Sequence, residues 1–285
     1  MKIYELIECL KKHSSDTWQG KKLEDGSTRD RVLYGDTKQE CTGIVSTCYA
    51  SVDVIKQAGE MGCNLIVVHE ALFWNHGDHT DWLLNNKTFQ KKKALMDQYH
   101  ICVWRNHDHI HAGISIKGRY MDGIFYGMCA MLGWEEYRED QTTSFPQMFL
   151  VPEMTVSDMA ELLMEKFRLK GIRFIGNKDC IIRKVFVPMH LMGQPDDNRI
   201  TSKINDEEID CLLTLEMVDF TTCEYIRDAA MAGENHCIFA LGHFNMEEIG
   251  MEYYAEYLRQ HISVNLPVHF IQSGDAYKYI AADEL

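Results

Sequence analysis

GIVSTCYASVDVIKQAGEMGCNLIVVHE, residues 43–70, is the stretch of the chain that decides the predicted fold. Its first six residues and the NLIVV run at 64–68 are short and apolar and are bounded by turn residues, which is typical of buried strands. Between them, residues 51–61 begin with a serine N-cap candidate and are followed by a glycine, which predicts a helix. The stretch therefore predicts strand, helix and strand, and the second strand runs directly into His69 and Glu70.

The same alternation of helices and strands continues along the rest of the chain and predicts an α/β fold. We expect further helices at 2–13, 81–99, 120–132, 156–167, 221–231 and 246–261, and further strands at 100–104, 148–151, 172–175, 181–187, 210–214, 236–241 and 267–272. Residues 191–206 are polar and rich in turn formers, which predicts a loop. We interpret the whole as two related α/β lobes with mixed sheets.

The order of these elements suggests three consecutive segments. Residues 1–140 form the predicted N-terminal α/β lobe, residues 141–207 a βαββ section and a loop, and residues 208–285 a C-terminal α/β segment. The helix–glycine–strand pattern of 51–68 recurs at 221–241, where it again ends beside a histidine. This echo is compatible with an internal duplication and equally with chance similarity between two αβ units.

The composition excludes several classes of protein. The chain has 285 residues, of which 46% are hydrophobic and 25% are charged, as in a folded globular protein and unlike a disordered one. Its 29 basic and 43 acidic residues give a net charge of −14. Because that charge repels phosphate backbones and anionic membrane surfaces, we expect neither a nucleic acid nor a membrane as partner.

The sequence also predicts a cytoplasmic protein. The helix at 2–13 carries acidic residues where a signal peptide would be apolar, and the most apolar stretch, 124–134, is shorter than the roughly 20 residues that span a bilayer. The ten cysteines are scattered without a CxxC pair. We therefore expect buried, reduced thiols and no disulfide framework or thiolate zinc site.

Histidine is concentrated where three predicted strands end. Seven of the thirteen histidines lie within residues 69–111. The strand at 64–68 leads into His69 and Glu70, the strand at 100–104 leads into the HDHIH run at 107–111, and the strand at 236–241 leads into His243 and then Glu247. Since functional groups in open α/β sheets gather at the carboxyl ends of strands, these side chains are expected to surround one point.

Imidazole nitrogen and carboxylate oxygen together suit Zn, Fe, Mn, Co or Ni. Because five or six such ligands exceed the needs of one tetrahedral ion, the sequence favours two ions that share a bridging carboxylate. Each residue alone also has a structural explanation: a histidine after a strand is usually a satisfied polar group, and Glu247 could complement a helix dipole. The coincidence of three strand ends favours metal. Nucleophilic catalysis by Cys63 and His69 is disfavoured, because the length of a strand separates them.

Three short motifs resemble those of the NGG-one-interacting-factor-three-like proteins, many of which are named GTP cyclohydrolase type-two homologues. A strand followed by His-His-Pro corresponds here to Val67–Ala71, VVHEA, and His-Thr-Asn-x-Asp corresponds to His107–His111, HDHIH. Gly-His-Tyr-x-x-Glu corresponds closely to Gly242–Glu247, GHFNME. The resemblance covers nearly the whole chain. It implies a dinuclear metal centre that lies at the C-terminal ends of strands between the two lobes, completed by the C-terminal segment.

This chain departs from the family motifs at two positions. The second histidine of the first motif is Glu70, and the last aspartate of the second motif is His111. The exchange keeps three imidazoles and two carboxylates, so the charge of the ligand set is unchanged. By resemblance, the metal ligands are His69, Glu70, His111, His243 and Glu247.

In the arrangement that the resemblance implies, His69 and His243 hold one ion, Glu70 and His111 hold the other, and Glu247 bridges them. Asp108 is the reserve ligand should His111 point away, and Glu216 is a further acid that could line the pocket. His107 is predicted to stand beside the ions as a catalytic proton-transfer group or a supporting hydrogen-bond donor. The resemblance also implies a homohexamer built from trimers.

Two functions are consistent with these residues. The first is a metal-dependent hydrolase that uses two divalent ions and a metal-activated water on a small, nucleotide-like substrate of unknown identity. In that case Arg105, beside the site in sequence, is either a phosphate contact or a structural ion-pair partner. The second is a non-catalytic metal-binding oligomer that acts in storage, delivery, sensing or docking.

Overall fold

A computed structural model describes residues 1–24, 26–193, 195–262 and 265–280, which divide into two compact units. Unit 1 consists of Met1–Gly127 and Gly250–Ser273, and unit 2 consists of Met128–Ile249 with the described residues from Gly274 onward. The units are discontinuous in sequence, whereas the predicted segments 1–140, 141–207 and 208–285 are consecutive. The difference arises because the chain returns to unit 1 at Gly250, in the middle of a helix. The fold is α/β with two mixed five-stranded sheets, as predicted.

Unit 1 is built on one five-stranded sheet. Its helices and strands, numbered along the chain, are α1 (Ile3–Lys12), β1 (Thr17–Trp18), β2 (Lys21–Lys22), β3 (Val32–Tyr34), β4 (Ile44–Thr47), α2 (Val52–Glu60), β5 (Leu65–Val68), α3 (Lys87–Gln98), β6 (Cys102–Arg105), α4 (Asp108–Ala112), β7 (Ile114–Ile116) and β8 (Arg119–Met121). A last strand, Val268–Phe270, pairs in parallel with β4, the order continues through β5 to β6, and β3 closes the far edge antiparallel to β6. Because β4, β5 and β6 are buried along their whole length, their near-continuous apolar sequences are those of central parallel strands.

Unit 2 contains the second five-stranded sheet. Its elements are β9 (Met148–Thr155), α6 (Val156–Phe167), β10 (Arg173–Gly176), β11 (Ile181–Leu191), α7 (Asp196–Asp206), β12 (Cys211–Met217), α8 (Thr222–Met231) and β13 (Cys237–Ala240). The strand order is β10-β13-β12-β11-β9, and the three central strands are parallel while both edge strands are antiparallel to their neighbours. Two helices, α5 (Phe125–Leu132) and α9 (His243–His261), contribute residues to both units. The strand Val268–Phe270 of unit 1 is β14.

The predicted echo between two parts of the chain is present as local structure. β4, α2 and β5 form one parallel βαβ unit, and β12, α8 and β13 form another. Each helix is followed by a glycine in the left-handed region, Gly62 with φ 73° and Gly233 with φ 90°. Only glycine adopts that conformation without steric cost, so both helices end at the positions that the sequence predicted.

Three segments were predicted with a type of structure that was wrong in part. Residues 191–206 are not all loop, because α7 occupies Asp196–Asp206: two acidic residues begin it, and Ile200 and Ile204 pack one turn apart on the unit 2 core. The helix predicted at 120–132 is instead strand β8, a turn, and α5 from Phe125. The helix predicted at 81–99 is a short 3₁₀ turn followed by α3, which Asn86 caps at Lys87.

All ten cysteines are free thiols, and all except Cys9 are buried, as expected for small hydrophobic side chains. Among the described residues, every helix is too short or too polar to reach across a lipid bilayer.

Lys92 of α3 is a buried cation of unit 1, with an exposure of 1%. Its Nζ donates hydrogen bonds to the Leu72 carbonyl oxygen at 2.7 Å and to the Tyr49 hydroxyl at 3.1 Å, and it lies 4.4 Å from the centre of the Tyr49 ring. Burial lowers the pKa of the Lys92 ammonium to about 7. The charged form is therefore disfavoured in the folded protein relative to the unfolded chain.

Substituting Lys92→Met should make the free energy of unfolding less dependent on pH. Below about pH 7 the parent bears the full cost of a buried ammonium; that cost fades between about pH 7 and the ordinary lysine value near 10.5, so stability rises with pH. The stability difference between variant and parent should therefore shift in favour of the parent as pH rises from 6 to about 10. Urea unfolding measures it, with exposed Lys91→Met as control. A difference that is constant with pH would contradict the expectation.

Candidate metal centre

Unit 1 brings three histidines together at the carboxyl ends of its central strands. His69 follows β5, and His107 and His111 lie at the start and near the end of the short helix α4, which follows β6. The rings of His69 and His107 stack with centroids 4.5 Å apart, and each lies 4.9 Å from the His111 ring. One ring nitrogen from each lies within 4.8 Å of the others. We call these three residues the histidine triad; all are largely buried.

The segment before β3 fixes the helix that carries two triad members. The Asp30 carboxylate accepts backbone hydrogen bonds from Asp108 and His109, each at 2.8 Å, and contacts the His109 ring. It therefore caps the start of α4, where the backbone N–H groups have no partner within the helix. The Trp18 ring stacks on His111 with centroids 5.6 Å apart. These contacts hold the imidazoles in place before any ligand binds.

Each triad imidazole places its Nδ1 against an oxygen atom. The His107 Nδ1 lies 2.7 Å from an Asp108 carboxylate oxygen, and the His111 Nδ1 lies 2.8 Å from an Asp122 carboxylate oxygen. The His69 Nδ1 faces the Asn106 carbonyl oxygen at the longer distance of 3.4 Å. An imidazole that donates from Nδ1 carries its lone pair on Nε2, which is the arrangement found around metal-binding histidines.

The surroundings of His107 keep its imidazole in the form that binds cations. Burial, together with the neighbouring His69, lowers the pKa of His107 to about 4, so its ring is neutral at physiological pH. Burial opposes ionisation of Asp108, but the hydrogen bonds from His107 and from the Arg29 backbone outweigh it and lower the pKa of that carboxyl to about 2. A neutral imidazole and an ionised supporting carboxylate are therefore both available.

Glu70 lies beside the triad and is held by a buried arginine. One of its carboxylate oxygens lies within 4.8 Å of a His69 ring nitrogen, and Oε2 is 3.4 Å from the Arg105 guanidinium. Arg105 is fully buried and also donates to the His69 carbonyl oxygen at 3.1 Å and to Asp78 at 3.3 Å. Of the two roles considered for Arg105, the structure supports the ion-pair partner, because its guanidinium contacts carboxylate and carbonyl oxygens of the protein itself.

Unit 2 contains a second group of histidines and carboxylates. His243 is the first residue of α9, three residues earlier than the predicted start, so His243 and Glu247 are four apart on one helix. The His243 Nε2 lies 3.0 Å from a Glu247 carboxylate oxygen, and its Nδ1 lies 2.6 Å from a carboxylate oxygen of Glu216. The other Glu216 oxygen contacts the Nδ1 of His190, which is the register partner of Glu216 on β11. We call His190, Glu216 and His243 the Glu216 group.

The Glu216 carboxylate remains charged despite being half-buried. Burial alone would raise its pKa, but hydrogen bonds from His190 and His243 outweigh this and lower the pKa to about 2. Glu216 and His243 also line a cavity of about 320 Å³ with Arg173, Asn245 and Asp275 among its other walls.

Each unit contains some of the predicted site residues. His69, Glu70 and His111 lie together in unit 1, and His243 and Glu247 lie together in unit 2; their assignment as ligands stays a prediction. His107, predicted as a proton-transfer group, belongs to the triad. One of its ring nitrogens lies within 4.8 Å of a ring nitrogen of each of the other two histidines. Asp108, the reserve ligand, instead supports the His107 ring.

Sequence reasoning missed Asp30, Trp18, Asp122 and His190. The first two come from a stretch with no clear periodicity, and no sequence signal pointed to them. Asp122 directly follows β8 and stands three residues before Phe125, the first residue of α5, and its carboxylate accepts a hydrogen bond from the Phe125 backbone N–H as a cap does. His190 could have been found only from the register of β11 against β12.

The donor chemistry fits a divalent transition metal. Imidazoles with Nδ1 held by carboxylates, and further carboxylates beside them, are the ligands and supporting groups that such ions use. These buried histidine and glutamate groups could hold a metal ion.

The fold and these groups define a class: two-sheet α/β proteins with histidine–carboxylate groups able to bind metal. The sequence model of Duf34/NIF3 (NGG1p interacting factor 3) matches residues 1–276, and the chain therefore belongs to this family. The resemblance seen in the three motifs is confirmed.

Known proteins agree with this assignment. The chain is 26% identical over 259 residues to a Clostridium perfringens protein named GTP cyclohydrolase 1 type 2 homolog, covering 89% of this chain and 91% of that protein. A Clostridium acetobutylicum protein of the same name is 22% identical over 262 residues, covering 87% and 89%.

Solved structures show the same fold at low sequence identity. A hypothetical protein of Staphylococcus aureus has a TM-score of 0.67 at 17% identity, covering 98% of this chain and 99% of that one. A Bacillus cereus protein related to NIF3 has a TM-score of 0.65 at 14% identity, with the same coverage.

Proposed function

We propose that this protein is a metal-dependent hydrolase that binds two divalent ions per chain and acts on a small substrate. The observation that carries the proposal is the shared arrangement of His107, His111 and His243, each with Nδ1 on a carboxylate. Metal-binding histidines usually have such a partner on the ring nitrogen that does not bind the metal. The name of the Clostridium relatives suggests a nucleotide or heterocycle as substrate.

The proposed ligands come from both units. In unit 1 they are the triad residues His69 and His111 with Glu70, and in unit 2 they are His243 and Glu247. As the family resemblance implies, Glu247 would bridge the two ions. Because its pKa of about 4 makes His107 a weak proton acceptor at neutral pH, a ligand role suits it better than proton transfer. Bound ions would supply Lewis acidity and lower the pKa of a water molecule.

The residues around the ligands have a separate task, which is to hold them in position. Asp108 and Asp122 fix the tautomer and orientation of two imidazoles, and Asp30 fixes the helix between them. Arg105 compensates the Glu70 charge from the side. A site built in this way reacts without first reorganising its ligands.

The test is a substrate screen with metal-loaded protein. Protein reconstituted separately with Zn²⁺, Mn²⁺, Co²⁺ and Fe²⁺ is assayed on p-nitrophenyl phosphoesters and on nucleoside triphosphates. We expect turnover with at least one ion and a loss of about 10- to 100-fold in the Asp122→Asn variant at limiting metal, since supporting groups contribute 10- to 100-fold to metal affinity. Turnover that persists after chelation would contradict the proposal.

A second candidate, a non-catalytic metal-binding protein, is favoured by one observation. The triad is largely buried, with His69 wholly so, and a storage or structural site can be closed whereas a catalytic site needs an open position. Azide added to the Co²⁺ protein separates the two: a shift of the visible bands indicates an exchangeable position and supports the hydrolase. Unchanged spectra together with a negative screen would favour the second candidate.

We also propose that the protein assembles with itself, as a hexamer by family resemblance. The small-molecule substrate is unknown, and the net charge of −14 disfavours nucleic acid and membrane partners. Light scattering of the purified protein measures the assembly directly.

A further inference from the structure

The Glu216 group is a set of potential metal ligands in which two members, His190 and Glu216, lie outside the three family motifs. His190 and Glu216 lie opposite each other on the parallel strands β11 and β12, and His243 begins α9. A ligand atom from each of the three lies within 4.8 Å of the others, and the two rings have centroids 5.6 Å apart. Two imidazoles and one carboxylate are a donor set for Zn²⁺, Co²⁺ or Ni²⁺.

The group is open to solvent at one end and leads to buried residues at the other. The exposed fraction of the side chain is 42% for His190, 39% for Glu216, 23% for His243 and 5% for Glu247. His243 is the shared member, with Nδ1 towards Glu216 and Nε2 towards Glu247. An ion that reaches His190 therefore has a path along the same side chains to Glu247.

The cavity beside the group is suited to a hydrated cation. Asn245 and Asp275 line it, and the Oδ1 of Asn245 and the Oδ2 of Asp275 are buried without a hydrogen-bond partner among the described residues. Such oxygen atoms can accept hydrogen bonds from the water ligands of an ion. The one cation in the wall, Arg173, opposes a metal ion, but its guanidinium lies over the Tyr277 ring at 5.7 Å. The carboxylates of Glu216 and Asp275 line the same cavity.

We propose that the Glu216 group is a loading site, where a divalent ion from solution is first bound and then passed through His243 towards Glu247. The inference rests on the proposed function, because it requires that His243 and Glu247 bind metal. Since His243 serves both sites, an ion at the loading site and an ion at Glu247 compete for it, which makes the outer ion transient. The alternative is a hydrogen-bond network in which Glu216 merely orients His243 and His190 has no part in metal uptake.

The first experiment measures uptake of Co²⁺ by the metal-free full chain, followed by stopped-flow absorbance. We expect His190→Ala to lengthen the loading half-time about tenfold, whereas His79→Ala, which removes an exposed imidazole elsewhere, leaves it unchanged. Equal loading rates for His190→Ala and the parent would overturn the loading site. If the parent takes up no Co²⁺ at all, the proposed function fails as well, so the two failures are distinguishable.

The second experiment isolates the loading site in a Glu247→Ala background, where the competing contact is removed. In that background we expect the loading site to bind one Co²⁺ ion. His190→Ala should lower its affinity for Co²⁺ at least about tenfold, whereas His190→Cys should still bind the ion. Direct coordination by the new thiolate would add a near-ultraviolet sulfur-to-cobalt charge-transfer band, which a merely structural role for residue 190 cannot produce. Absence of that band in a Co²⁺-saturated sample would overturn coordination at this position.

Discussion

Replacing His69 with glutamine is expected to remove about one equivalent of bound transition metal per chain. The His69 ring lies 4.5 and 4.9 Å from the other two triad rings, and His69 is the triad member that is fully buried. With one of three imidazoles gone, the remaining pair cannot complete a tetrahedral site, and affinity should fall by more than the roughly 100-fold that a supporting residue contributes. Elemental analysis of protein purified without chelator measures the loss.

Two variants accompany this measurement. His79→Ala removes an exposed imidazole from the same unit and should leave the metal content unchanged. Asp122→Asn keeps all three rings but withdraws the carboxylate from His111, so we expect a loss of affinity of about 10- to 100-fold rather than complete loss. Because His69 is buried, thermal unfolding of the glutamine variant shows whether it is folded. A folded His69→Gln protein that retains the parental metal content would refute a metal site at the triad.

The sequence was most informative about the triad, because each triad histidine follows closely after a strand that can be recognised from a short run of residues. The buried strands β5 and β6 are recognisable from short apolar runs, and parallel neighbours end at the same edge of a sheet. That was enough to predict that His69, His107 and His111 lie near one another. The departure from the family motif at His111 also does not remove the residue from the group, since its ring lies 4.9 Å from that of His69.

The sequence was least informative where position depends on pairing between distant segments. Asp30 reaches α4 from 77 or more residues away in sequence, and Trp18 stacks on His111 from a two-residue strand. His190 joins Glu216 only because β11 contains irregularities that shift its register against β12. A one-residue change of register would turn a side chain to the opposite face, and no residue pattern in β11 specifies that shift.

The prediction of a polar loop at 191–206 was wrong for a related reason. Helix α7 has few apolar residues, so its composition is that of a loop, yet Ile204 is completely buried in the unit 2 core. Tertiary contacts at one or two positions were sufficient to outweigh the low apolar content of the segment. The helices α2 and α6, in contrast, have clear serine and threonine caps and were predicted to within one residue.

Replacing Glu247 with alanine provides the sharpest test of the bridging role that the sequence predicts. Glu247 is 4% exposed, and its Oε2 lies 3.0 Å from the His243 Nε2. If it bridges two ions, the parent should contain about two equivalents of metal per chain and the variant should lose most of both. If it binds one ion through unit 2 alone, the variant should lose about one equivalent and keep the ion of the triad.

The comparison needs a control for burial and for charge. Glu248→Ala removes an equally buried neighbouring carboxylate, and Glu247→Gln keeps the size of the side chain while removing its charge. We expect the glutamine variant to resemble the alanine variant, because a neutral amide lacks the charge and the second oxygen with which a carboxylate bridges two ions. Glu248→Ala should retain metal. A parent with less than about half an equivalent, even after reloading with Zn²⁺, Mn²⁺ and Fe²⁺, would mean that the exchange at Glu70 and His111 has abolished the centre. The non-catalytic role without metal would then be the better explanation of this chain.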